Sequence, residues 1–202
     1  MKRRIVVFIL VGLFNFILMS GITFANQIMF EKDFIIKLND DNVNNNNNSS
    51  DLPSSPVLPS DGTEYEGESI STIAKKFEKY FKKTDLEGYG EHIASSSMKK
   101  GVNPYLVGGI ILVNTNCIND CSIIFKNCNN VGDLSGTPGC FGGSYKKYDS
   151  IEASVNDLVD YIYDKFVVNN LTSPSAIYKK YNKDITWAFK VSNYMEKLKK
   201  TK

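Results

Sequence analysis

The stretch Gly101–Cys117, GVNPYLVGGIILVNTNC, decides how this chain is read. Asn103 supplies a side-chain oxygen for a helix N-cap, and Pro104 suits the first turn, where its missing N–H is no loss. Leu106, Val107, Ile110 and Ile111 then recur at helical spacing, which predicts a buried helix. The helix runs out into Asn114, Thr115 and Asn116, one turn past its apolar face. A polar group placed there either caps the helix C-terminus or points into a cleft and touches a ligand. Local spacing does not separate the two.

Working outward, the same period continues. Ile70, Ile73, Ala74, Phe77 and Phe81 form one apolar stripe, and Ile151, Val155, Leu158, Val159, Ile162 and Phe166 form another. Asp149 with Glu152 resembles a capping box, Ser173-Pro174 opens a further helix, and Trp187, Val191, Tyr194, Met195 and Leu198 mark a last amphipathic one. No alternating strand pattern stands out, so the expected class is mainly α. Residues Asn116 to Ser144, rich in Gly, Asn and Cys, read as one long loop, and loops of that length inside a domain tend to carry function. All four cysteines, Cys117, Cys121, Cys128 and Cys140, lie within it. In an exported chain an even count reads as disulfides, and four thiols allow three pairings. Cys117 with Cys121 and Cys128 with Cys140 is the favoured set. A four-cysteine zinc site fits less well, because the paired C-x-x-C elements are missing, so no metal or other cofactor is expected.

Lys2, Arg3 and Arg4 precede an apolar run from Ile5 to Met19, with Thr23 and Ala25 loosely matching a cleavage site. Residues 1–25 therefore read as a signal peptide or a retained membrane anchor. The remainder of the chain reads as exported, whether secreted, in the cell wall or on the outer membrane face. Residues 26–68 hold the run Asn44 to Asn48 and the spaced Pro53, Pro56 and Pro59, a composition unable to bury a core, and are expected to be a disordered linker. Residues 69–202 then form one domain. Removing the three leading cations from the 24 basic residues leaves 21 against 22 acidic, a balance that argues against a nucleic-acid partner. His92, the single histidine, has no cysteine near it in sequence and reads as a surface or core residue.

Four blocks in order, GVNPYLVGGIILVNTNC, NNVGDLSG, SYKKYDSIEASVNDLVDYIYDKF and DITWAFKVSNYMEKL, resemble the glucosaminidase-type, lysozyme-like domains of bacterial peptidoglycan hydrolases. LEGYGEHIASSSMKKGVNP is similar to their entry helix, so the resemblance spans nearly all of Asp85 to Leu198. It implies a lysozyme-like helical domain whose stapled loop borders a cleft. The implied activity is that of an endo-β-N-acetylglucosaminidase, which hydrolyses the β-1,4 bond after N-acetylglucosamine in cell-wall glycan. The family's general acid is a glutamate in a pattern like His-Glu-Thr-Gly at the end of the helix after the Asn-Pro turn. Aligned on Thr115 and Cys117, Val113 stands at the histidine, Asn114 at the glutamate and Asn116 at the glycine.

An amide has no proton to deliver to a leaving oxygen, and general acid catalysis contributes roughly 100- to 10,000-fold. The resemblance thus implies a pseudoenzyme that still binds peptidoglycan glycan strands, or a cell-envelope protein partner, and implies that Asn114→Glu would return the missing acid. The alternative is an active hydrolase with a replacement carboxylate from Asp133, Asp120 or Glu91. Asp133 leads because it follows Asn129-Asn130-Val131-Gly132, similar to the family's Asn-x-x-Gly turn at the cleft; a solvated Asx turn is the competing reading. Asn130 belongs to that Asn-x-x-Gly turn, and Tyr145, Tyr148 and Tyr181 match tyrosines of the family's cleft-forming blocks, so all four are expected at the substrate; for each tyrosine core packing is the equal alternative, and Trp187 also suits a core. A third possibility is a docking body in an envelope assembly. Glu152 reads as a helix N-terminal charge.

Overall fold

The computed structural model describes residues 64–202; the expected signal or anchor segment and most of the expected linker lie outside them. The described chain begins with a two-stranded antiparallel hairpin, β1 (Glu64–Tyr65) and β2 (Glu68–Ser69), and continues as α1 (Ile70–Phe81), α2 (Gly90–Lys100), α3 (Pro104–Thr115), α4 (Ile123–Cys128), α5 (Ile151–Lys165), α6 (Pro174–Tyr181) and α7 (Ile185–Lys200). Short 3₁₀ turns occupy Cys140–Gly142 and Val167–Asn169. The described residues are mainly helical, as the periodicity predicts.

α3 is the centre of the core. Asn103 Oδ1 accepts from Tyr105 N at 2.9 Å and Leu106 N at 3.2 Å, and every residue from Pro104 to Leu112 is buried. A helix apolar on all sides must be covered on all sides. α7 runs against it at close range because Gly108 and Gly109 present no side chain there: a Cβ on Gly109 would lie 2.9 Å from the Val191 carbonyl. α1 packs on α2, α2 on α5, and α6 on α7. Phe77, Phe81, Tyr105, Ile110, Val155, Leu158, Ile162 and Trp187 fill the interior.

Three expectations are corrected. The boundary at residue 69 falls inside the hairpin, since Tyr65 is buried edge-on against Tyr105, and Glu68 binds Lys76 at 2.5 Å and accepts the Tyr105 hydroxyl. Residues Asn116 to Ser144 are not one irregular loop, because Ser122 caps α4 by accepting from Phe125 N at 3.2 Å, and Phe125 and Cys128 are buried. Finally Ser150, not Asp149, caps α5, accepting from Ala153 N at 3.1 Å. The favoured disulfides are present, Cys117–Cys121 and Cys128–Cys140. No helix of the described residues is long and apolar enough to cross a membrane.

Candidate binding groove

α3 stops at Asn116, which adopts the left-handed conformation (φ 55°) and returns its N–H to the Leu112 carbonyl at 3.2 Å. Asn116 is therefore the cap, and Asn114 is left for something else. Its Oδ1 accepts from Trp187 Nε1 at 3.0 Å, and its Nδ2 donates to the Tyr181 hydroxyl at 3.2 Å. That hydroxyl in turn donates to the Gly132 carbonyl at 2.7 Å, and the Tyr181 ring stacks on Trp187 with centroids 4.8 Å apart. The chain indole, amide, phenol, carbonyl joins α7, α3, α6 and the turn after Val131.

On the far side of that turn lies a groove of about 690 Å³, lined by Asp133, Tyr145, Lys146, Asp157, Tyr161 and Tyr181 among others. Its wall is built by Asn130, which is 1% exposed. The Asn130 Nδ2 donates to the Leu134 and Lys146 carbonyls at 2.8 Å each, and its Oδ1 accepts from Gly132 N at 3.2 Å and Leu134 N at 3.1 Å. The chain then doubles back through bridges Ser135–Tyr145 and Gly139–Lys146, and Cys128–Cys140 ties it to the end of α4.

The two carboxylates of the groove are held in opposite ways. Asp133, at φ 51°, has no hydrogen-bond donor or ion-pair partner for its carboxyl among the described residues, and desolvation by burial pushes its pKa up to about 6. Asp157 is also partly desolvated, but hydrogen bonds from Lys146 Nζ at 2.7 Å and the Tyr148 hydroxyl at 2.6 Å, with the Lys146 charge, outweigh this and hold it below the usual carboxylate range. Tyr181 is pushed well above the ordinary phenol value by burial and then by the Asp133 charge. Asp133 thus takes up a proton as the pH falls through about 6, where Asp157 is still ionised.

The expected site residues separate accordingly. Asp133, Tyr145 and Tyr181 line one groove. Asn130 is turned inward with both amide atoms engaged, so it shapes the wall and offers nothing to a ligand. Tyr148 is buried and acts on Asp157 through its hydroxyl. Asn114 is half-buried and outside the groove lining, reaching it through Tyr181. Val113 and Asn116 open instead on a separate hollow beside Lys190 and Tyr194. Asp120 is exposed and paired with Lys126 at 2.5 Å, and Glu91 is exposed on α2, so neither is in the groove. Glu152 is lowered by its own backbone N–H and Ser150, as a helix N-terminal charge is. His92 sits on Asn156 at 3.1 Å, and among the described residues no group of three or more His, Cys, Asp or Glu side chains is arranged to hold a metal ion. Sequence reasoning missed Lys146, Asp157 and Tyr161; the last two are four apart on α5, beside its apolar stripe, which was the available signal. No family model and no curated protein matches the chain.

Proposed function

We propose that the described domain is a lysozyme-like, glucosaminidase-like body, acting outside the cell membrane, that binds peptidoglycan glycan strands in the Asp133–Tyr145–Tyr181 groove and does not cleave them from the family's position. The observation that carries this reading is the engagement of Asn114: its amide answers Trp187 and Tyr181, so the position supplies scaffold hydrogen bonds and no proton. The groove suits a sugar polymer. Tyr145 and Tyr161 offer flat apolar faces with polar tips, Tyr181 lines the wall between them and the scaffold, and Lys146 and Asp157 offer a donor and an acceptor for hydroxyl and acetamido groups. The two disulfides accord with an oxidising compartment.

One observation favours a second reading, an active hydrolase. Asp133 is an unpartnered, partly desolvated carboxyl facing the same groove as ionised Asp157, the split in environment that general acid and general base require. Asp133 would protonate the leaving oxygen while Asp157 took a proton from the attacking water.

The test is to incubate the purified protein with N-acetylglucosamine oligomers and with peptidoglycan, measuring binding by calorimetry and new reducing ends by mass analysis. Binding without new ends is expected. New ends that disappear in Asp133→Asn would establish the hydrolase reading, and absence of both binding and cleavage would remove both readings.

A further inference from the structure

Phe141 is a large apolar side chain that the interior does not use. It is 71% exposed, so burial does nothing to hold it. Its backbone is left-handed, φ 50° and ψ 28°, a conformation that crowds any residue with a Cβ and suits glycine. It sits in the run Gly139-Cys140-Phe141-Gly142-Gly143, where glycine is the prevailing residue. An exposed aromatic kept in a disfavoured backbone contributes neither packing nor turn stability, which points to a ligand.

Its neighbours hold it still. Cys140 is bonded to Cys128, and Cys140 N donates to the Tyr145 carbonyl at 2.6 Å. Gly143 N donates to the Cys140 carbonyl at 2.8 Å. Phe141 is thus one residue from a staple and pinned beside the bridged segment carrying Tyr145, which lines the groove and is 40% exposed. Phe141 and Tyr145 are the exposed large apolar side chains of residues 135–146, with glycines and Ser144 between them. A partner helix or a lipid surface requires a contiguous apolar patch. Isolated flat rings with hydrogen-bonding backbone between them match a pyranose, which has an apolar C–H face and a hydroxyl rim.

We propose that Phe141 is an accessory stacking residue for a sugar ring of the glycan strand as it leaves the groove past Tyr145. This rests on the glycan reading above and adds a subsite that distinguishes long from short strands. The experiment measures binding of the N-acetylglucosamine disaccharide and tetrasaccharide to the native protein, Tyr145→Ala, Phe141→Gly, Phe141→Leu and Phe141→Tyr, with melting temperatures for each. Expected for Phe141→Gly is a roughly tenfold loss for the tetrasaccharide, little change for the disaccharide, and a melting temperature equal to or above native, since glycine relieves the backbone. Phe141→Tyr should keep the affinity and Phe141→Leu should lose it. Native-like tetrasaccharide binding by Phe141→Gly or Phe141→Leu overturns the stacking role, and weakening by Tyr145→Ala in the same series would leave the groove reading standing. Failure of the native protein to bind either oligomer overturns both.

Discussion

The indole N–H of Trp187 donates to the Asn114 carbonyl oxygen at 3.0 Å, across 73 positions of sequence. This bond explains an amide at the end of an apolar helix. Trp187 is buried and its one donor needs an acceptor, and Asn114 supplies it while its own N–H reaches Tyr181.

Asn114→Ala should therefore cost roughly 1–3 kcal/mol, the usual penalty for leaving a buried donor unpaired. Urea unfolding measures it, and because the chain has one tryptophan, its fluorescence reports the site directly. Asn114→Glu should remain inactive, contrary to what the family resemblance implies. Trp187 would donate to the new carboxylate, and the Tyr181 hydroxyl would turn its one proton from the Gly132 carbonyl to do the same, favouring the ionised form and lowering the pKa that a general acid needs raised. Release of reducing ends by this variant would show that the two donors had let go.

Asp133→Asn should stabilise the protein in a pH-dependent way. The folded pKa lies near 6 against an ordinary 3.8, so the fold binds this proton more tightly than the unfolded chain does. The native advantage is present below about pH 4 and is lost as pH rises through about 6. The variant should gain on the order of 2–3 kcal/mol over native at about pH 8 and little at about pH 3, by denaturant titration. A difference independent of pH would contradict the assignment.

Replacing Cys128 and Cys140 by serine should cost about 3 kcal/mol, and replacing Cys117 and Cys121 about 2, since the first bridge closes the longer loop. Hydrogen exchange should show the loss of the first bridge at Gly136 and Lys146, whose amides hold the groove wall, before it appears in α3.

Gly109→Ala tests the helix contact that aligns Asn114 with Trp187. Alanine has the better helix propensity by roughly 1 kcal/mol, yet its Cβ would stand 2.9 Å from the Val191 carbonyl and 3.1 Å from Met195. Backbone does not yield cheaply, so net destabilisation of about 1–3 kcal/mol is expected, with a changed Trp187 emission.

The elements whose causes are local were legible from the residues. Asn103-Pro104 opens α3, Ser173-Pro174 opens α6, and the apolar stripes of α1, α5 and α7 face inward, because a 3.6-residue period and a capping oxygen act within one or two turns. The hairpin was not legible: Glu64-Tyr65-Glu66-Gly67-Glu68 has no strand pattern, and it folds because Tyr65 finds Tyr105 forty positions away. The site divides the same way. Asp133, Tyr145 and Tyr181 were visible as candidates, whereas the inward turn of Asn130, the Lys146–Asp157–Tyr148 group and the capture of Asn114 by Trp187 were decided in three dimensions. Desolvation and hydrogen-bond partnership depend on what the rest of the chain brings within about 3 Å of a group, and no spacing along the chain encodes that distance.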